Sequence, residues 1–228
     1  MAPFYKDLPS LKYRSAILII LAILIIDQIT KIYVKTNFYP GMAGQVNMIG
    51  DWAKLHFLEN EGMAFGMKIS QSYWGKLVLT LFRLVAVIAG FFILRRMVNR
   101  GYGRGIIICG ALILAGAMGN LIDSIFYGMI FSESSYHVAR FVPWGTGYAP
   151  LFHGKVVDML YFPMIHGHYP QWVPRLGGRE FEFFEPVFNI ADAAISTGVL
   201  TLVFFQKRLL HRKELPHHEP EREKAITS

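Results

Sequence analysis

The sequence predicts an α-helical polytopic membrane protein, with four transmembrane helices, a small extracytoplasmic β-rich subdomain and an external insertion, all in one membrane domain over residues 1–228. Three observations predict it. Hydrophobic residues make up 53% of the chain and charged ones 17%, with a mean hydropathy of +0.34, whereas an ordinary soluble domain is about 45–50% apolar and about 25% charged. Four apolar stretches are present, and a span needs ~20 residues. The formal net charge of +7 is gathered in short basic clusters between those stretches, a pattern of cytoplasmic flanks rather than of a nucleic-acid surface.

The first apolar stretch is "AILIILAILIIDQITKIYV". Its uninterrupted part, Ala16 to Ile26, is too short to cross alone, so a helix over about residues 15–36 must carry Asp27 and Lys31 into the bilayer. Basic residues before an apolar run also suit a secretory signal, but no small-x-small cleavage site follows, and an uncleaved span is expected. The second helix, about 75–97, contains "LVLTLFRLVAVIAGFFIL" with Arg83 inside it. The third, about 104–130, is "GIIICGALILAGAMGNLIDSIFYGMI", where Cys109, the single cysteine, reads as packing. The fourth, about 186–207, lies in "EPVFNIADAAISTGVLTLVFF".

Basic residues flank these spans asymmetrically. Lys6, Lys12 and Arg14 precede the first; Arg95, Arg96, Arg100 and Arg104 lie between the second and third; Lys207, Arg208, Arg212 and Lys213 follow the fourth. The positive-inside rule then puts both termini and the middle loop in the cytoplasm. Two loops face outward. Residues 37–74 mix polar, aromatic and glycine residues and are expected to form a small sheet on the membrane. Residues 131–185 are rich in Pro, Gly, His and aromatics, a composition for irregular structure and interfacial rings. The charged tail, 208–228, is expected to extend into water.

This topology brings scattered polar residues to one depth. Asn120 and Asp123 fall in the outer part of the third span. Asn189 and Asp192 come early in the fourth, with Asp192 about 7–8 Å along it at about 1.5 Å per residue, and Asp158 lies in the outer loop just before. Asn120 and Asp123 are three apart, as are Asn189 and Asp192, so each pair is expected on one helix face, and Asp27 and Lys31, four apart, are expected to pair. Carboxylates in a bilayer cost a few kcal/mol and usually face a cavity and serve function. Convergence of so many toward the outer face predicts one site.

At these residues the sequence resembles a known family, the bacterial lipoprotein signal peptidases (signal peptidase II). The matches are "DQITK" at 27–31, "NEGMAFG" at 60–66, "GAMGNLID" at 116–123, "GKVVDMLYF" at 154–162 and "FNIADAAIS" at 188–196. They follow the family's order. The resemblance implies a membrane aspartyl endopeptidase that cuts a prolipoprotein just before its diacylglyceryl-modified cysteine, with Asp158 and Asp192 as the catalytic pair. It implies that Asp27, Lys31, Asn60, Gly62, Gly119, Asn120, Asp123, Asn189 and Ala191 shape the site, orient the dyad or hold the substrate backbone. No cofactor and no metal are expected. The implied partners are the lipidated prolipoprotein and membrane lipids, with no nucleic acid, and the implied setting is a monomer in the bacterial cytoplasmic (inner) membrane with its active site toward the outer face.

Two carboxylates sharing one proton suit amide hydrolysis, because close like charges cannot both ionise readily and their pKa values split. One member takes a proton from water; the other polarises the carbonyl. The sequence departs from the family pattern in two places. Ser124 stands after "GNLID" where the family usually has arginine; Arg83 either compensates or snorkels. Residues 131–153 and 163–185 read as external insertions around the Asp158 motif. Other classes fit the pattern less well. An ion-coupled transporter, the main alternative, places carboxylates at mid-depth in repeated halves, and no inverted repeat is visible. A zinc enzyme would have to use His153, His166 and His168, without an HExxH motif. A Ser/Lys peptidase would have to enlist Ser196 or Ser124 with Lys31. A scaffold leaves the clustered aspartates unexplained.

Overall fold

The structure is a computed structural model that describes residues 11–61, 73–135, 137–163, 165–168, 170–175, 177–183 and 186–209. Among the described residues, four helices are long and apolar enough to cross a membrane. Helix α1 (Tyr13–Asn37) buries Ala16, Ile20, Leu24, Asp27, Lys31, Val34 and Lys35; steps of three and four place them on one face. Its other side exposes Leu18, Ile25 and Ile29, as a lipid-facing surface should. Helix α2 (Tyr73–Asn99) is the most apolar and little enclosed, with Phe82, Val85 and Phe92 exposed.

The third span is a composite: α3 (Arg104–Ile122) runs into a π-helical turn (Asp123–Tyr127) and a last short turn, α4 (Gly128–Ile130). It is the hub. Half of its most apolar window is buried, against less than a third in the other spans, and α1, α2 and α5 (Ile190–Leu209) all pack on it. Small residues let the backbones approach. A Cβ on Gly116 would run into the Ala191 carbonyl and Ile195, and one on Gly198 would meet the Cys109 carbonyl. Ile20, Leu24, Val87, Leu94, Ile107, Ala111, Leu114 and Ala115 fill the core between spans.

A sheet closes the opposite end from the Arg100–Arg104 turn. Strands β1 (Val46–Ile49) and β2 (Ala53–Asn60) come from the first outer loop, while β3 (Val156–Tyr161) and β6 (Val187–Phe188) come from the second, in the order β1-β2-β3-β6 with antiparallel neighbours. The small sheet expected from residues 37–74 is therefore completed by a segment that composition marks as irregular. The local signal is the run "VVDMLY", whose β-branched and aromatic residues suit a buried strand. Strands β4 (Ile165–His168) and β5 (Glu180–Phe183) pair separately. Register fixes which side chains meet: Asn60 opposes Val156 and Leu58 opposes Asp158, so Asn60 and Asp158 are diagonal neighbours on one sheet face. Phe57, Val157 and Met159 pack with Val34, Tyr127 and Phe131 at the outer ends of the first and third spans.

The segment between the third span and β3 has a definite task. A helix end leaves carbonyls without partners, and a π turn frees more. Here Gly154 N–H donates to Ser124 O, Phe152 N–H to Ile125 O, Ala149 N–H to Gly128 O, Gly145 N–H to Met129 O and Val142 N–H to Ile130 O. Thr80 Oγ1 of α2 donates to Phe152 O at 3.0 Å, and the His153 ring stacks on Tyr73 with centroids 4.1 Å apart. This segment caps the span and ties it to α2.

Close helix approach generates a stability prediction. Gly116→Ala is expected to lower stability by about 1–3 kcal/mol through overpacking against backbone, read by thermal unfolding in detergent. Gly90→Ala, whose new methyl meets only the tip of Leu114, is expected to show no comparable loss.

Candidate active site

Asp158 and Asp192 reach one asparagine from two different elements. Asn189 precedes α5 and caps it: its Oδ1 accepts the Asp192 N–H at 2.8 Å, and an Asp192 carboxylate oxygen accepts the Asn189 N–H at 3.4 Å. This is the reciprocal arrangement of a capping box, with a carboxylate at the third helical position. Asn189 thus stands before the helix instead of sharing its face with Asp192, and Asp192 lies in the first turn. The reason is local: Val187 and Phe188 pair with β3 as β6, so the chain is still extended there.

The Asn189 amide also reaches the other carboxylate. Its Nδ2 donates to Asp158 Oδ1 at 2.7 Å, to Asn120 Oδ1 at 3.1 Å and to the Val157 carbonyl at 3.2 Å. Asn120 Nδ2 donates to Asp192 Oδ1 at 2.8 Å. Asn60, from the end of β2, donates to Asp158 Oδ2. The two aspartates are therefore joined through Asn189 and Asn120, each side-chain amide using both ends. Asp158 is 5% exposed. Burial, then the Asp192 charge, pushes its carboxyl up to about 7, while Asn189, Lys31 and Asn60 pull the other way.

A fully buried ionic layer lies beneath. Lys31 Nζ is 3.0 Å from Asp27 Oδ2 and 2.8 Å from Asp123 Oδ2, and it donates to Asn120 Oδ1 at 2.9 Å. The expected Asp27–Lys31 pair is present with Asp123 as a third member. Asp27 Oδ1 accepts the Ala191 N–H at 2.9 Å, and Asp123 Oδ2 accepts the Val157 N–H at 3.4 Å. Gly119 leaves room for the Asp27 carboxylate, which a Cβ there would strike. Arg83 Nη1 lies 3.4 Å from Ser124 Oγ, and the Asp192 and Asp123 charges act on its guanidinium.

The structure thus gathers Asp27, Lys31, Asn60, Gly119, Asn120, Asp123, Asp158, Asn189, Ala191 and Asp192. Gly62 lies outside the described residues, as do the side chains of His166 and His168. Among the described residues, no three His, Cys, Asp or Glu side chains converge as metal ligands. Sequence reasoning missed Gln28, whose Nε2 donates to Asp123 Oδ1 at 3.0 Å while its Oε1 accepts from the Tyr127 hydroxyl at 3.1 Å. An amide inside an apolar span was the available signal. It also missed Lys35, four residues beyond Lys31 and on the same buried stripe.

Comparison with known proteins gives one consistent family. The family model for signal peptidase II matches residues 19–207. A lipoprotein signal peptidase of Porphyromonas gingivalis is 46% identical over 89% of this chain and 86% of its own length. One from Amoebophilus asiaticus is 36% identical over 88% of this chain and 80% of its own. A solved bacterial membrane enzyme shares the fold with a TM-score of 0.57 at 21% identity, over 92% of this chain and 98% of that one. A match over most of the chain, with both relatives above 30% identity, makes this protein a member of the signal peptidase II family, the transmembrane proteases of lipoprotein processing.

Proposed function

We propose that the chain is an aspartyl endopeptidase that removes the signal peptide from prolipoproteins by hydrolysing the bond N-terminal to the diacylglyceryl-modified cysteine. The observation that carries this is Asn189, which holds Asp158 through its side chain and Asp192 through a helix cap. Asp192 occupies the positive end of the α5 dipole, where a carboxylate is favoured. Asp158, buried and pushed up to about 7 beside it, holds the shared proton in the free enzyme.

The chemistry then balances. Water attacks the scissile carbonyl carbon and gives a proton to the ionised aspartate, while the protonated aspartate donates to the carbonyl oxygen. Collapse of the tetrahedral gem-diol breaks the C–N bond, and the leaving nitrogen takes a proton from the dyad. Asn60, Asn120 and Asn189 hold the carboxyls, and Asp27, Lys31, Asp123, Gly119 and Ala191 fix the helices that carry them. The apolar walls of the spans suit the acyl chains of the substrate, and the outer sheet suits its extended segment. Basic residues at Arg95, Arg96, Arg100, Arg104, Lys207 and Arg208 support a cytoplasmic location for the end opposite the site. The site then faces outward from a cytoplasmic membrane.

Three outcomes are expected. With a diacylglyceryl prolipoprotein and purified full-length enzyme, Asp158→Asn and Asp192→Asn each lose at least about 10²-fold in kcat while melting as wild type, and the unlipidated prolipoprotein is not cut. Near-normal cleavage by either variant would remove the dyad. In the pH profile, kcat/KM falls as pH rises through about 7, because Asp158 loses the shared proton. Asn60→Ala moves that limb upward, since its amide favours the ionised carboxylate; an unmoved limb would count against Asp158 as proton holder. Cysteines introduced at Thr146 or Trp52 react with an impermeant thiol reagent from outside intact cells, and reaction only after lysis would reverse the topology.

A further inference from the structure

Lys35 places a charge where the site does not directly use one. It lies in the last turn of α1, is completely buried, and pairs with Glu59 of β2. Its ammonium is 5.3 Å from the Phe131 ring centre, 5.0 Å from Tyr148 and 6.0 Å from Phe57, with Ser134 Oγ at 3.4 Å. Cations are attracted to aromatic faces at such distances. Phe131, Ser134 and Tyr148 all come from the insertion after the third span. The insertion thus wraps a cation that belongs to the first span.

The connection continues to the dyad by two routes. Glu59 is followed directly by Asn60, whose amide donates to Asp158. From the other side, the Tyr148 hydroxyl accepts the Lys155 N–H at 2.7 Å, Lys155 Nζ lies 5.4 Å from the same ring and 3.6 Å from Glu133, and Lys155 leads straight into β3. Lys35, Glu59, Asn60, Asp158, Lys155 and Tyr148 are joined by these contacts and by two short lengths of chain, Glu59 to Asn60 and Lys155 to Asp158. A buried ion pair is weak evidence of stability, because desolvation offsets the attraction, and its best-attested use is to fix register. Here the register in question is that of β2 against β3, which decides whether Asn60 meets Asp158.

We propose that Lys35 is a positioning residue for the catalytic aspartate Asp158, its ammonium caged by the insertion so that Glu59, and with it Asn60, is held in place. This rests on the dyad reading. The insertion is then a brace for the site, applied through one lysine.

The test is a double-mutant cycle on the full-length enzyme in lipid bicelles with lipidated prolipoprotein. Lys35→Met, which keeps the stem and removes the charge, lowers kcat at least about fivefold with KM changed by less than about threefold. Combined with Asn60→Ala it is no slower than Asn60→Ala alone, because both act through one hydrogen bond. A loss under about fivefold, or losses that multiply in the double variant, would overturn the proposal. Should Lys35→Met fail to fold, Glu59→Gln carries the same cycle with the same two criteria. Asp158→Asn is assayed alongside: if it is active the dyad reading falls, whereas an inactive Asp158→Asn beside a fast Lys35→Met removes only the role of Lys35.

Discussion

The whole architecture depends on one ammonium group taken out of water. Lys31 has no solvent exposure, and neither do Asp27 and Asp123 on either side of it. Desolvating an ion costs several kcal/mol, recovered only with close opposite charge and further hydrogen bonds. Both conditions hold. The remaining carboxylate oxygens reach outward, Asp27 to the Ala191 amide at the start of α5 and Asp123 to the Val157 amide in β3. A single cation therefore fixes the first span to the third and, through its counterions, both elements that carry the aspartates. Two carboxylates face one lysine there, and α2 brings two further cations, Arg83 and Lys76, within electrostatic range of Asp123.

Much of this was legible in the chain. Apolar runs gave the spans, because a bilayer demands that every backbone group be satisfied within its own helix and so writes span length into composition. Depth followed from the charges between the spans, and the polar residues at that depth are the ones the fold gathers. The strand around Asp158 carries a short local signal in "VVDMLY", outweighed by the irregular composition around it. Its partners, β2 and β6, lie far away in sequence or are only two residues long, so its pairing could not be read locally. The π-helical turn at Asp123–Tyr127 was likewise hidden, since "DSIFY" carries no local mark of it and its freed carbonyls are met by a distant segment. Lys35 was on the page as the third charge in an i, i+4 series, but a lysine near a span's end reads as snorkelling, and only the docked insertion shows that it turns inward to Glu59.

The insertions also change meaning between sequence and structure. By composition residues 131–153 are a loop with many turn formers. In the fold they carry hydrogen bonds that a long helix would otherwise leave unmade, and they supply two aromatic faces and a hydroxyl to a buried cation. Loop residues of this kind are ordered by what they cover rather than by their own pattern.

Asn189 opens the last span and joins the two carboxyls with the same side chain. Docking of that span and the meeting of Asp158 with Asp192 are consequently a single event. A chain whose fourth helix has not yet packed has nothing to bring these two aspartates together, so under the proposed chemistry it would lack its working pair until that helix docks.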